Sequence, residues 1–370
     1  MVLPSISDAS EKLSGDRHEE NKTRLAGLDF LRAFFTVVVV AVHANIFNLL
    51  SGKLRLGFVS DILNQNVGSL AVPVFFQISL FLFYLKSEKL GSQYFIQKRL
   101  PKLVSLYLFW VISKALFNVL LIGKYKEIET GASSIKGFAG FVVGGGYTIF
   151  YFFFSLIFVT FAAEVLTRSL RRVKKPSVKK KISYNLLFGS CILVFSFPII
   201  DITISHCETF TSLMNFLTYL PYVFTTAIVV QEFNEGKLER MTPLLKLKLC
   251  KLCALCLFLI VFEWVVFANI SFSSKLFNYS RLSLVLSSWL IIYLILLSAR
   301  KPSVIVRFLS GCSLGIYGFH TFFLDSTKFL DNLSQVIPGL GTATEFLLAL
   351  IGSIVLTLLS RKIKYLKSFV

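Results

Sequence analysis

The chain has 370 residues, 55% hydrophobic and only 16% charged, with a mean hydropathy of +0.72. A soluble domain carries about 25% charged residues, so a water-exposed globule is excluded, as is a disordered chain by the 39 Phe and a collagen-like one by the 21 Gly and 9 Pro. The formal charge of +19, from 39 Lys and Arg against 20 Asp and Glu, needs a location in a membrane protein and does not argue for nucleic acid as a partner.

Residues 1–27 are polar, mixed in charge and read as a tail. Apolar runs of spanning length follow near Leu28–Leu50, Gly68–Leu85, Leu103–Ile122, Tyr147–Thr167, Ile182–Ile200, Ser212–Gln231, Cys250–Ile270, Leu282–Ala299, Phe308–Asp325 and Thr344–Ser360. The predicted fold class is all-α, a polytopic integral membrane protein of about ten transmembrane helices over residues 28–360. A basic tail, residues 361–370, follows. The Gly-rich stretch Gly137–Gly146 is too short to span and reads as a re-entrant segment or the start of a helix. The first apolar run is long and lacks a small-residue cleavage pattern, so no cleavable signal is expected.

Alternating the loops between two sides puts 29 basic residues on the side of the N-terminal tail and 8 on the other, with Arg32 and Lys114 inside spans. The positive-inside rule makes the richer side cytoplasmic, with both termini inside. The expected location is the cell (inner or plasma) membrane, with anionic lipid headgroups as partners. Cys250, Cys253 and Cys256 lack the second ligand pair of a zinc site, so no metal is expected. No oligomeric state is implied.

Ionisable residues inside spans cost free energy and mark function by default. The first span holds Asp29, Arg32, Thr36 and His43. Arg32 and His43 are eleven apart, which returns within about 20° of the same helix face and separates them by roughly 16 Å along the axis. The ninth span carries Ser313, Tyr317 and His320 on one face, with Gly311 and Gly315 as a small-residue pair that admits a neighbouring helix. Both spans run outward, so His43 and His320 are expected at similar depth. Lys114 and Glu263 share a depth and are expected to pair, and Glu164, at the depth of Arg32, is a second partner for that guanidinium beside Asp29. At the start of the third span Arg99 and Lys102 lie three apart around Pro101, a basic turn that could hold phosphates.

These stretches together resemble the acyltransferase-3 family of integral membrane O-acyltransferases, in its stand-alone form without a fused soluble domain. The resemblance rests on Arg24-Leu25-Ala26-Gly27-Leu28-Asp29-Phe30-Leu31-Arg32 with His43 after a ten-residue gap and on Pro73-Val74-Phe75-Phe76-Gln77-Ile78-Ser79. It also rests on the turn Lys98-Arg99-Leu100-Pro101-Lys102 and on Tyr317-Gly318-Phe319-His320. The chain departs from the family pattern at Leu80, where members often carry Gly, and at Lys102, where many carry Arg and gain bidentate geometry. Early in the fourth span it offers Phe150 or Tyr151 in place of Trp. The resemblance implies transfer of an acyl group, most often acetyl, from cytosolic acyl-CoA to a hydroxyl of a surface or secreted glycan or a lipid-linked sugar. No cofactor is bound permanently, acyl-CoA being the donor substrate. His43 is the expected general base, and Arg32 binds the donor or stabilises negative charge, oriented by Asp29 or Glu164. Arg99 and Lys102 are expected to meet the CoA phosphates, and Tyr317, His320, Lys114 and Glu263 to support the site. The competing reading is a transporter or flippase whose ionisable span residues line a path for a polar solute or a lipid-linked sugar.

Overall fold

The computed structural model describes residues 25–49, 57–123, 125–203, 216–269, 279–298, 301–326 and 340–370. The first 24 residues of the expected N-terminal tail lie outside them. The helices in chain order are α1 Leu28–His43, α2 Ser69–Leu90, α3 Leu100–Phe117, α4 Lys126–Ala132, α5 Ile135–Val143 and α6 Tyr151–Arg171. They continue with α7 Pro176–Thr203, α8 Leu220–Asn234, α9 Pro243–Asn269, α10 Leu282–Ser298, α11 Val304–Ser326 and α12 Leu340–Lys362. A short helix, Gly57–Ile62, and a π-helical turn, Leu63–Gly68, lead into α2. No strand occurs among the described residues, and the chain is an all-α protein.

Each of the ten apolar runs overlaps one of these helices, with Leu50, residues 212–215, Ile270 and Ala299 outside the described residues. Among the described residues four helical stretches, Val59–Leu90, Phe95–Ile122, Tyr151–Arg171 and Gly341–Lys362, are by themselves long and apolar enough to cross a bilayer. The outward faces agree. Leu108, Ile112 and Leu116 on α3 are exposed, as are Phe258, Val261, Phe262 and Val265 on α9 and Leu348, Ile351, Val355 and Leu359 on α12. Steps of three and four make these continuous apolar stripes. In water they would drive association, whereas hydrocarbon is their matching solvent.

Polar contacts sort the helix ends onto two faces of the bundle. At one end Ser310 on α11 donates to Asp29 on α1, Arg99 donates to Ser79, and Arg171 on α6 donates to the Ser87 carbonyl at 2.6 Å. Lys248 at the start of α9 meets Glu232 near the end of α8. At the other end Asn64 donates to Asn48 at 2.9 Å and Arg281 donates to Asn66. α1 and α2 therefore run antiparallel, and Arg99, Arg171 and Lys248 lie toward the first end, here the basic end.

α11 packs between α1 and α12. Its small residues are what permit this. A Cβ at Gly315 would collide with Thr357 of α12, and one at Gly318 with the indole of Trp110 of α3. The stretch Gly137–Gly146 resolves into the end of α5 followed by a tight turn, in which Gly145 and Gly146 take positive φ. Beyond α12, the basic tail turns back into the bundle. Phe369 stacks on Phe109 of α3 with ring centroids 4.4 Å apart, and Val370 is buried.

Two pairings expected from depth are corrected. Lys114 does not meet Glu263. Its Nζ lies 2.6 Å from Asp325 Oδ2 and donates to the Thr321 carbonyl, both on α11. Glu263 instead accepts from Arg281 at 2.9 Å and from the Ser283 amide. Equal depth fixes position along the membrane normal but not around the helix, and these two side chains belong to different sectors of the bundle. Glu164 likewise does not serve Arg32. It pairs with Arg168 one turn on in α6, at 2.7 Å, the local i,i+4 partner that a helix always offers.

Candidate active site

At the basic end, α1, α2, α3, α6 and α11 enclose a cavity of about 660 Å³. Four cations line it, Arg32, Arg99, Lys102 and Arg307, against a single acidic side chain, Asp29. Its floor is apolar and aromatic, including Leu103, Leu106, Phe152, Phe153 and Tyr317. Val370 closes part of one wall.

The local sequence explains how each cation arrives. Pro101 is the second residue of α3, but the chain is already helical ahead of it, so its ring meets a helical carbonyl and not a free helix start. The residues ahead of it, Phe95–Arg99, form a π-helical turn, which relieves the clash of the proline ring with the carbonyl four residues earlier. This wide turn delivers Arg99 to Ser79 on α2. The Arg99 Nε is buried with no hydrogen-bond partner, so the guanidinium has an unmet donor beside the cavity. Asp29 accepts from Ser310 Oγ at 2.6 Å and stands 3.9 Å from Arg32 Nη1. That contact is loose, and it leaves most of the Arg32 charge uncompensated.

Deeper in, Tyr317 donates its hydroxyl to the Ile149 carbonyl at 2.7 Å, which commits its proton to the turn ahead of α6. Its ring lies 5.9 Å from that of His320. The His43 and His320 rings, from α1 and α11, lie 5.3 Å apart, centroid to centroid. His320 is fully buried, whereas His43 is exposed. Thr36, between Arg32 and His43, is buried and donates to the Arg32 carbonyl.

The structure therefore gathers Asp29, Arg32, Arg99, Lys102 and Tyr317 around one cavity, with His43 and His320 in ring contact outside its lining, His320 beside Tyr317. It leaves Lys114, Glu164 and Glu263 out of the lining. Sequence reasoning missed Arg307 and Ser310. A signal for them existed, because 307, 310, 313 and 317 step by three, three and four and so continue the Tyr317 face of α11 back to the basic end. Cys250, Cys253 and Cys256 are free thiols spread along α9. Among the described residues no group of three His, Cys, Asp or Glu side chains could hold a metal ion.

An all-α bundle with an apolar outer surface and a cation-lined cavity defines the class, a helical membrane protein. The family model of an acyltransferase domain matches residues 25–362, nearly the whole chain, and the protein belongs to the acyltransferase-3 family. It is a membrane acyltransferase. Neither the curated proteins nor the solved structures yield a match to the chain.

Proposed function

We propose that this acyltransferase moves an acyl group, acetyl in the first instance, from cytosolic acyl-CoA to a hydroxyl of a surface or secreted glycan or a lipid-linked sugar at the cell membrane. One observation carries the reading. Motif residues from four separate stretches of sequence meet around a cavity lined by four cationic side chains and one acidic one. Such a surplus is costly next to hydrocarbon unless an anion offsets it. A donor bearing several phosphates supplies that anion, and guanidinium groups suit it by geometry as well as charge. The basic end faces the cytosol in this reading, following the positive-inside rule.

The distance between charge and base favours the same donor. Arg32 and His43 are separated by roughly 16 Å of helix, so phosphates held at Arg32 and Arg99 cannot themselves react at the imidazoles. An extended, largely uncharged arm ending in a thioester can lie along the apolar floor toward Tyr317 and present its carbonyl to the histidine pair. Arg32 then acts in donor binding.

His43, the exposed member of the pair, removes the proton of the acceptor hydroxyl. The hydroxyl oxygen forms a bond to the acyl carbon as the carbon–sulfur bond breaks. The proton held on His43 passes to the departing thiolate, leaving free CoA and an O-acyl ester. The test incubates membranes containing the chain with labelled acetyl-CoA and extracted cell-surface glycan. Label is expected in alkali-labile ester on the glycan. Binding of acetyl-CoA with no label transferred to glycan or lipid-linked sugar would overturn the assignment.

A further inference from the structure

We propose that His320 is a positioning residue for His43, holding it in the tautomer and orientation of a base through a hydrogen bond from a ring N–H of His43 to His320 Nε2. This rests on His43 acting as the base, as proposed above.

The argument begins with the tautomer of His320. Its Nδ1 lies 3.1 Å from the Ile316 carbonyl, one turn back on α11. A carbonyl oxygen only accepts, so Nδ1 carries the proton and Nε2 of the neutral ring is a bare acceptor. That Nε2 is buried and has no hydrogen-bond partner, in a side chain with 0% exposure. Buried acceptors are normally paired, so a donor is called for. Tyr317 has given its proton to Ile149, and Lys114 is engaged by Asp325 and Thr321. Thr321 Oγ1 and Trp110 Nε1 are also buried without a partner, but His43 is the nearer of the two rings in contact with that of His320, and a centroid separation of 5.3 Å lets one nitrogen of each ring come within hydrogen-bonding distance by rotation of His43 about its side chain.

The chemistry needs such a partner. An imidazole acts as a base through one nitrogen only when the other holds the proton, and a third group usually enforces this. In hydrolase triads that group is a carboxylate. Inside a bilayer a neutral acceptor avoids the cost of burying a second charge. The proton balance is simple. His43 donates to His320 Nε2 throughout, takes the acceptor proton on its other nitrogen, and returns it to the thiolate. His320 neither gains nor loses a proton.

The experiment uses the full chain in membranes, acetyl-CoA as the donor probe, and both free thiol release and label entering glycan as readouts. His320→Phe keeps a ring and removes the acceptor. His320→Gln places an amide oxygen near the Nε2 position, whereas His320→Asn reaches only the Nδ1 position. The expected result for Phe and Asn is a fall in kcat on the order of 100-fold with KM for acetyl-CoA unchanged, and recovery of a tenth or more of the activity in Gln. In a His43→Ala background, His320→Phe should cause no further loss. Should the Phe variant not accumulate, the Asn and Gln pair carries the same contrast. Wild-type kcat in His320→Phe or His320→Asn, or equal losses in Gln and Asn, overturns the positioning role and leaves the His43 assignment standing. Full activity in His43→Ala overturns that assignment itself.

Discussion

The α7–α10 half of the bundle and the half formed by α1, α2, α3, α6 and α11 both bury ionisable groups, but only the second leaves some of them open. In the first, the buried charges among the described residues, Glu232, Glu263 and Arg281, are closed. Lys248 reaches both Glu232 oxygens at 2.9 Å, Lys180 adds a third contact, and Tyr293 donates at 2.5 Å. Lys248 also sits over the Tyr293 ring, 4.6 Å from its centroid. Glu263 is likewise saturated by Arg281 and Ser283, and Arg281 in turn donates to the Gln65 carbonyl and Asn66. In the second half, Lys114 and Glu164 are paired, but around the cavity four cationic side chains face one acidic side chain across open space, and a guanidinium nitrogen is left without a partner. The lesson is that burial of charge does not identify a site in a membrane protein. A saturated cluster is a structural pin, and an unsaturated one beside a cavity awaits a ligand.

The sharpest way to break this contrast is His43→Ala. It should lower transfer by at least 10²–10⁴-fold while leaving the amount and thermal stability of detergent-extracted protein unchanged. Glu232→Ala should do the reverse. Stranding two lysines and a tyrosine costs about 3–5 kcal/mol, read as a lower melting temperature and less folded protein, with activity per folded molecule retained. Arg99→Ala should raise KM for acetyl-CoA roughly 10–100-fold, equivalent to about 1.5–3 kcal/mol for a charge-assisted hydrogen bond, with little change in melting temperature. Arg307→Ala, removing an exposed cation, should raise the same KM only about twofold to fivefold, as a screened charge of about 0.2–1 kcal/mol would. Added salt should mimic the last effect more than the others. A fall in stability for Arg99→Ala with no change in KM would erase the distinction between the two halves.

Much of the candidate site could be read along single helices. The 3.6-residue period put Arg32, Thr36 and His43 on one face of α1 and Ser313, Tyr317 and His320 on one face of α11. Proline chemistry put Arg99 and Lys102 at the start of α3. What could not be read was the rotation of each helix about its axis relative to the others. Lys114 finds Asp325, not Glu263, for that reason. Arg307 begins the α11 face that ends at His320, and its place beside Arg32 and Arg99 depends on how α11 is turned toward α1 and α3. Glu164 shows the opposite error, a distant partner sought where Arg168 stood one turn away.

Composition alone determined that the chain lives in a bilayer, because hydrophobicity is additive along the sequence and needs no knowledge of contacts. The parity of basic loops ordered the helix ends in the same additive way. Only the tertiary structure decided which buried charges neutralise one another and which stay open, since that depends on side chains approaching within a few ångströms, as Lys114 and Asp325 do from 211 residues apart. It also decided that the basic tail returns to wall the cavity. And it set His320 beside His43 with a bare nitrogen, a relation between α1 and α11 that no pattern within either helix contains.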